Sequence, residues 1–205
     1  MEPLDYTKKV LLVGDGAVGK TSLVRKYVHD IFSDRYIATI GTKTTRKEMT
    51  FDYEDQGVQV KLDLGIWDIL GQEGIEHSHQ IYFKGADGFI AVCDLTRPET
   101  VGNLRRWAAR VREECGEIPL VVAANKVDLV GARTPGADGV DAVAKELGAR
   151  WWRTSAKTGE NVETLFFELG VFLCGPIVED FAAAREGGGA RRKGGAGAAP
   201  RRKRS

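Results

Sequence analysis

The apolar run VLLV, Val10 to Val13, breaks straight into GDGAVGKTS, Gly14 to Ser22. Gly14, Gly19, Lys20 and Thr21 stand in the fixed places of G-x-x-x-x-G-K-[ST]. Few short stretches constrain a fold as tightly, because the spacing demands a buried strand, a glycine loop and a helix in succession. Such a loop turns backbone N–H groups onto phosphate oxygens, and glycine permits the close approach. The helix beginning near Lys20 aims its positive end at the same anion. Asp15, Gly16, Ala17, Val18 and Ser22 complete the predicted lining. Lys20 would reach the β- and γ-phosphates, and the Thr21 hydroxyl would ligate Mg²⁺. Which nucleotide the loop holds is left open by these residues alone.

The rest of the chain alternates short apolar, β-branched runs with amphipathic stretches. KVLLVG, GFIAVCDL, IPLVVAANK and ARWWRTSA read as strands; KTSLVRKYVHD, VGNLRRWAARVREEC, GVDAVAKELG and NVETLFFELGVFL read as helices, with a further helical segment after Glu73. Buried strands alternating with helices predict a mostly parallel sheet covered on both faces. KTTRKEMTFDYE and VQVKLDLGIWD, joined by DQG, read as an antiparallel hairpin. The predicted fold is therefore α/β: a P-loop NTPase three-layer α/β/α sandwich with a six-stranded, mostly parallel sheet and one antiparallel hairpin strand. Residues 1–7 are expected to be an N-terminal extension, 8–180 the nucleotide-binding domain, and 181–205 a disordered basic tail.

Charge supports that division. The whole chain has 30 Lys and Arg against 29 Asp and Glu. Eight of the basic residues and one acidic residue fall in Arg185–Ser205, which leaves an acidic body and a basic tail. The tail has no hydrophobic pattern with which to offset its ordering entropy. No run is long enough for a membrane span, and MEPLDYTKK lacks a secretory signal. Cys93, Cys115 and Cys174 are scattered and not in metal spacing, which suits reduced thiols in a cytoplasmic protein.

Every other motif follows a predicted strand, where open α/β sheets bind ligands. WDILGQE offers Asp68 to Mg²⁺, the Gly71 N–H to a γ-phosphate and Gln72 to an attacking water. NKVD supplies Asn125, Lys126 and Asp128; SAK supplies Ser155, Ala156 and Lys157. With YIATIG and TSAKTGENV, these motifs stand in the order and near the spacing of one family. The chain resembles small GTPases of the Ras superfamily over about residues 8 to 175, and the Rab-type branch most, with a prokaryotic Rab-like protein as one source that would fit.

The resemblance implies that the cofactors are GTP or GDP and Mg²⁺. It implies that Asp128 accepts from the N1–H and amine of guanine, a pairing adenine cannot make. Asn125 would support base and loop, Lys126 would lay its stem over the ring, and the Ala156 N–H would meet the guanine oxygen. Ser155 and Lys157 would shape that loop. Phe32 falls where the family stacks an aromatic on the base. Thr39 falls where it supplies a hydroxyl to Mg²⁺ and an N–H to the γ-phosphate. Lys20 and Gln72 would carry hydrolysis, by charge neutralisation and water placement. Gly16 leaves room for the glutamine. The implied function is a slow GTP-hydrolysing switch that cycles between active and inactive loop conformations in signalling or trafficking. It would be a monomer served by effector, exchange-factor and activating proteins.

Departures from the family pattern matter too. Ile69 and Leu70 replace the usual small Thr-Ala pair beside the catalytic loop. Thr39 to Asp68 spans some six residues more than in most members, a surplus expected in the YEDQGVQ turn. No cysteine follows Cys174, so no prenyl anchor is expected; the tail could still touch anionic membrane or nucleic acid weakly. Arg35, His29, His77 and His79 read as solvated side chains. A P-loop ATPase or kinase, which NKVD argues against, and a GTP-binding scaffold that never cycles are the competing readings.

Overall fold

The computed structural model describes residues 3–33, 42–69, 81–130, 137–187 and 201–202. Thr39, Leu70, Gly71, Gln72, Arg35, His77 and His79 lie outside them. Six strands form one sheet: β1 (Leu4–Val13), β2 (Thr42–Tyr53), β3 (Val58–Ile69), β4 (Gly88–Asp94), β5 (Leu120–Asn125) and β6 (Arg150–Arg153). Their spatial order is β6-β5-β4-β1-β3-β2, with a seventh strand of two residues, described below, on the outer edge of β2. Among the six, all neighbours run parallel except β2 and β3, which form the antiparallel hairpin. Among the described residues four α-helices accompany them: α1 (Lys20–His29), α2 (Pro98–Cys115), α3 (Ala137–Glu146) and α4 (Val162–Gly187).

Alternation along the central strands makes the three layers. Val10 and Leu12 of β1, with Ile90 and Val92 of β4, join Leu23, Val24 and Tyr27 of α1 and Leu165, Phe166 and Leu169 of α4. Leu11, Val13, Phe89, Ala91 and Cys93 face the other way, against Leu104, Trp107 and Val111 of α2 and Val140 and Val143 of α3. A strand buried on both faces needs an unbroken apolar run, as VLLV is. The Tyr27 ring lies flat on Phe166, centroids 3.9 Å apart, and so presses α1 against α4. Among the described residues no helix is long and apolar enough to cross a membrane.

Three boundaries differ from expectation. The hairpin turn takes only Glu54–Gln56, a single 3-10 turn, and Gly57. Tyr53 and Val58 are strand residues, as the hairpin reading had them, buried and paired with each other, so the surplus length expected in the YEDQGVQ turn is carried by the strands. The lengthened β3 in turn recruits the N-terminus: Leu4 to Thr7 pair with Val60 to Asp63 and extend β1, where a separate extension was expected. At the other end, α4 runs to Gly187, past the boundary expected at 181. Phe181 packs on the first core, and alanines 182–184 favour helix, which explains the continuation. The backbone of Arg201–Arg202 (β7) pairs antiparallel with Asp52 and Phe51 on the outer edge of β2, within the segment expected to lack structure.

Candidate nucleotide site

The glycine loop runs from β1 into α1 at the carboxyl end of the sheet. Four of its carbonyls are held by side chains, two by Lys20 at the start of α1 and two by Arg97 and Asn125 from distant parts of the chain. Lys20 Nζ donates to the Gly14 and Asp15 carbonyls, both at 2.7 Å. Arg97 Nη2 donates to the Gly16 carbonyl at 2.7 Å, and Asn125 Nδ2 to that of Val18 at 2.9 Å. The Gly19 carbonyl accepts from Leu23 N, the first bond of α1. A loop whose carbonyls point outward presents N–H groups inward, the condition for an anion cradle. Gly14 and Gly19 take φ of 142° and 102°, and Ala17 follows at 61°. The Asp15 side chain is not in the cradle: Asn103 Nδ2 and Trp107 Nε1 of α2 donate to its two oxygens at 2.7 and 2.8 Å. Asp15 therefore lines the hollow through its backbone only.

Beneath the loop, Lys20 is buried, and burial pulls its ammonium down to about 8 against the attraction of Asp68 and Asp15. Thr21 opens α1 and donates its hydroxyl to Asp68 Oδ2. Asp68 is the penultimate residue of β3 and is 2% exposed. Its other oxygen, Oδ1, is buried with no hydrogen-bond partner among the described residues. Burial raises the Asp68 carboxyl above its usual range, opposed by the Thr21 hydroxyl and the charges of Lys20, Lys43 and Arg25. An unsatisfied buried carboxylate oxygen beside a hydroxyl suits a hard cation that takes few protein ligands and draws the rest from phosphate and water. The residues present fit Mg²⁺. Among the described residues there is no cluster of three or more His, Cys, Asp or Glu.

The parallel pairing of β5 with β6 brings the other motifs alongside. Asn125 ends β5, 1% exposed, and its Oδ1 accepts from Thr154 Oγ1 and the Ala156 N–H, both at 3.3 Å. One carboxamide thus joins the phosphate loop to the SAK turn. Lys126 adopts φ of 66° and opens the short 3-10 turn Val127–Leu129. The exposed Asp128 is aimed by Ser155, whose Oγ donates to Oδ1 at 2.6 Å while accepting from Thr158 N at 3.0 Å. Lys157 is exposed next to them.

Ser22 is half-buried in α1. Phe32 is half-buried too and packs on the first core. Ile69, the described half of the unusual Ile-Leu pair, is fully buried in the second core and pairs with Thr42, so its bulk is absorbed by packing. Two residues at the site escaped sequence reasoning, Asp94 and Arg97. Asp94 ends β4 as Asn125 ends β5, and Asp68 stands one residue from the end of β3; that shared carboxyl-end placement is the signal that would have found it.

A profile of the Ras family matches residues 9–172. Ras-related protein Rab-21 of Bos taurus is 34% identical over 165 residues, covering 80% of this chain and 72% of the relative. Ras-related protein SEC4 of Saccharomyces cerevisiae is 38% identical over 166 residues, 80% of this chain and 74% of that one. Ras-related protein Rab-13 of Bos taurus is 34% identical over 166 residues, with 80% and 79% covered.

Proposed function

The chain belongs to the Ras family, and from that premise we propose how its own residues bind guanine nucleotide and cleave GTP. It is a small Rab-like GTPase, a switch that hydrolyses GTP to GDP and phosphate. The observation that carries the assignment of roles is the Asn125 carboxamide, which bonds the phosphate loop at Val18 and the SAK turn at Ala156 at once. A nucleotide lying with phosphates in the loop and base beyond Asn125 meets Asp128 held by Ser155, and the Ala156 N–H.

The N–H groups of Gly16 to Thr21 hold the phosphates, and Lys20, released from two carbonyls, follows the β- and γ-oxygens. Thr21 and Asp68, with Thr39, would hold Mg²⁺, whose charge lowers the cost of gathering negative oxygens at the γ-phosphate. Asp128 accepts from guanine, Lys126 covers the ring, and Phe32 flanks it. The Gly71 N–H meets the γ-phosphate, and Gln72 places the attacking water. Phosphoryl transfer of this kind depends on positioning and charge, so turnover is slow until an activating protein assists. Loops that order around the γ-phosphate and release after cleavage give effectors and exchange factors two surfaces to tell apart. The basic stretches at 191–193 and 201–204 suit weak contact with an anionic membrane or nucleic acid.

Single-turnover cleavage of bound GTP with Mg²⁺, in wild type and Gln72→Leu, tests the reading. Slow cleavage in wild type, lost in the variant at unchanged GTP affinity, is expected. Tight binding without cleavage in either protein would make the chain a scaffold.

A further inference from the structure

Asp94 carries more donors than a strand-end aspartate needs. It is 1% exposed, and its Oδ1 accepts from the Thr96 N–H at 2.9 Å and the Thr96 hydroxyl at 2.6 Å. Oδ2 meets Arg97 Nε at 3.2 Å and Lys126 Nζ at 2.6 Å. Arg97 then continues to the Gly16 carbonyl through Nη2. One buried carboxylate thus holds the lysine of the base loop and, through a guanidinium, the middle of the phosphate loop.

The turn that carries these groups is fixed. Arg97 N donates to the Asp94 carbonyl at 2.9 Å, and Thr100 caps the Arg97 carbonyl with its own N–H and hydroxyl. Asp94 N donates to Thr100 Oγ1 at 2.9 Å. Arg97 therefore starts from one backbone position, and the Asp94 contact aims its planar fork.

The Gly16 end of this chain has a consequence for the phosphates. A peptide is planar and trans, so a carbonyl and the following N–H point in opposite directions. With the Gly16 carbonyl turned out to Arg97, the Ala17 N–H points into the loop. Ala17 sits at φ 61°, a left-handed conformation that a residue with a Cβ resists. The charged hydrogen bond from Arg97 to the Gly16 carbonyl offsets that resistance and holds the conformation.

We propose that Asp94 and Arg97 are positioning residues that clasp the base loop to the phosphate loop and keep the Gly16–Ala17 peptide facing the phosphates. The inference rests on the reading of this site as a guanine-nucleotide site. Neither residue touches the nucleotide; both act through Gly16 and Lys126. The clasp makes grip on the base and grip on the phosphates a single event.

The test measures GDP release and the ³¹P resonances of bound GDP. Arg97 is the deciding position, because its side chain is 37% exposed and its replacement leaves the core intact. Arg97→Gln is expected to release GDP about tenfold faster, the scale of coupling within one hydrogen-bond network. It should also move the β-phosphorus resonance, which a loss of stability alone would not. Arg97→Lys, keeping the charge without the fork, should recover part of both. Asp94→Asn with Arg97→Gln should release GDP no faster than Asp94→Asn alone. Release within twofold of wild type and an unmoved resonance in Arg97→Gln would overturn the clasp. Failure of the wild-type protein to retain GDP would instead overturn the nucleotide reading beneath it.

Discussion

A side chain at Gly19 and the carboxamide of Asn125 claim the same space: a Cβ built at Gly19 would stand 2.3 Å from Asn125 Nδ2. The glycine belongs to the phosphate loop and the asparagine to the base loop, 106 positions later. Gly19→Ala forces Asn125 off the Val18 carbonyl and strains the backbone at φ 102°. Together these cost roughly 3 kcal/mol, so GDP affinity should fall about a hundredfold by fluorescent-nucleotide titration. An unchanged affinity would show that the two loops do not depend on each other.

Base choice rests on Asp128. Asp128→Asn exchanges an acceptor for a donor and should weaken GTP by about 2 kcal/mol or more while improving xanthosine triphosphate. Competition between the two nucleotides reads the switch. Equal GTP affinity in variant and wild type would remove Asp128 from base recognition.

The orphan oxygen of Asp68 makes nucleotide retention depend on the cation. Chelation of Mg²⁺ should speed GDP release from wild type by about tenfold or more, since metal charge contributes several kcal/mol. Thr21→Ala should release GDP quickly with or without chelator. A wild-type rate indifferent to chelation would exclude Thr21 and Asp68 as the metal's ligands.

Two thiols report on the core at alkaline pH. Burial pushes the Cys93 and Cys174 thiols up to about 12, from the 9.0 of an exposed thiol. Between those values the unfolded chain loses protons that the folded chain keeps, so stability falls as pH rises through that window and is unaffected below 9. Urea midpoints should therefore decline more steeply above pH 9 in wild type than in Cys93→Ala/Cys174→Ala. Parallel profiles would show that neither thiol resists ionisation in the fold.

Much of this was legible because the motifs are contiguous and each follows a strand. VLLV had to be buried on both faces, and the hairpin declared itself by alternation around DQG. What escaped is physical in origin. The turn length depended on whether Tyr53 and Val58 are buried, which only the sheet decides. Leu4 to Thr7 became strand because β3 is long enough to pair with them, a non-local cause. Asp15 reads as a loop residue, yet Trp107 and Asn103 on α2 claim its side chain. Nothing local announces that Arg97 reaches the Gly16 carbonyl 81 positions away.

Those separations also set a schedule. The glycine loop is complete in the sequence by Ser22, and Lys20 within it holds two of its carbonyls, but the groups that hold two others arrive much later: Arg97 81 residues after Gly16, and Asn125 107 residues after Val18. Until the sheet has closed around β4 and β5, the loop is a flexible glycine segment with no reason to keep its N–H groups inward. A ribosome that has made only the first half of the chain has written the phosphate motif without making a phosphate site. Nucleotide capture is therefore among the last events of folding, and a captured nucleotide certifies that the whole domain has assembled.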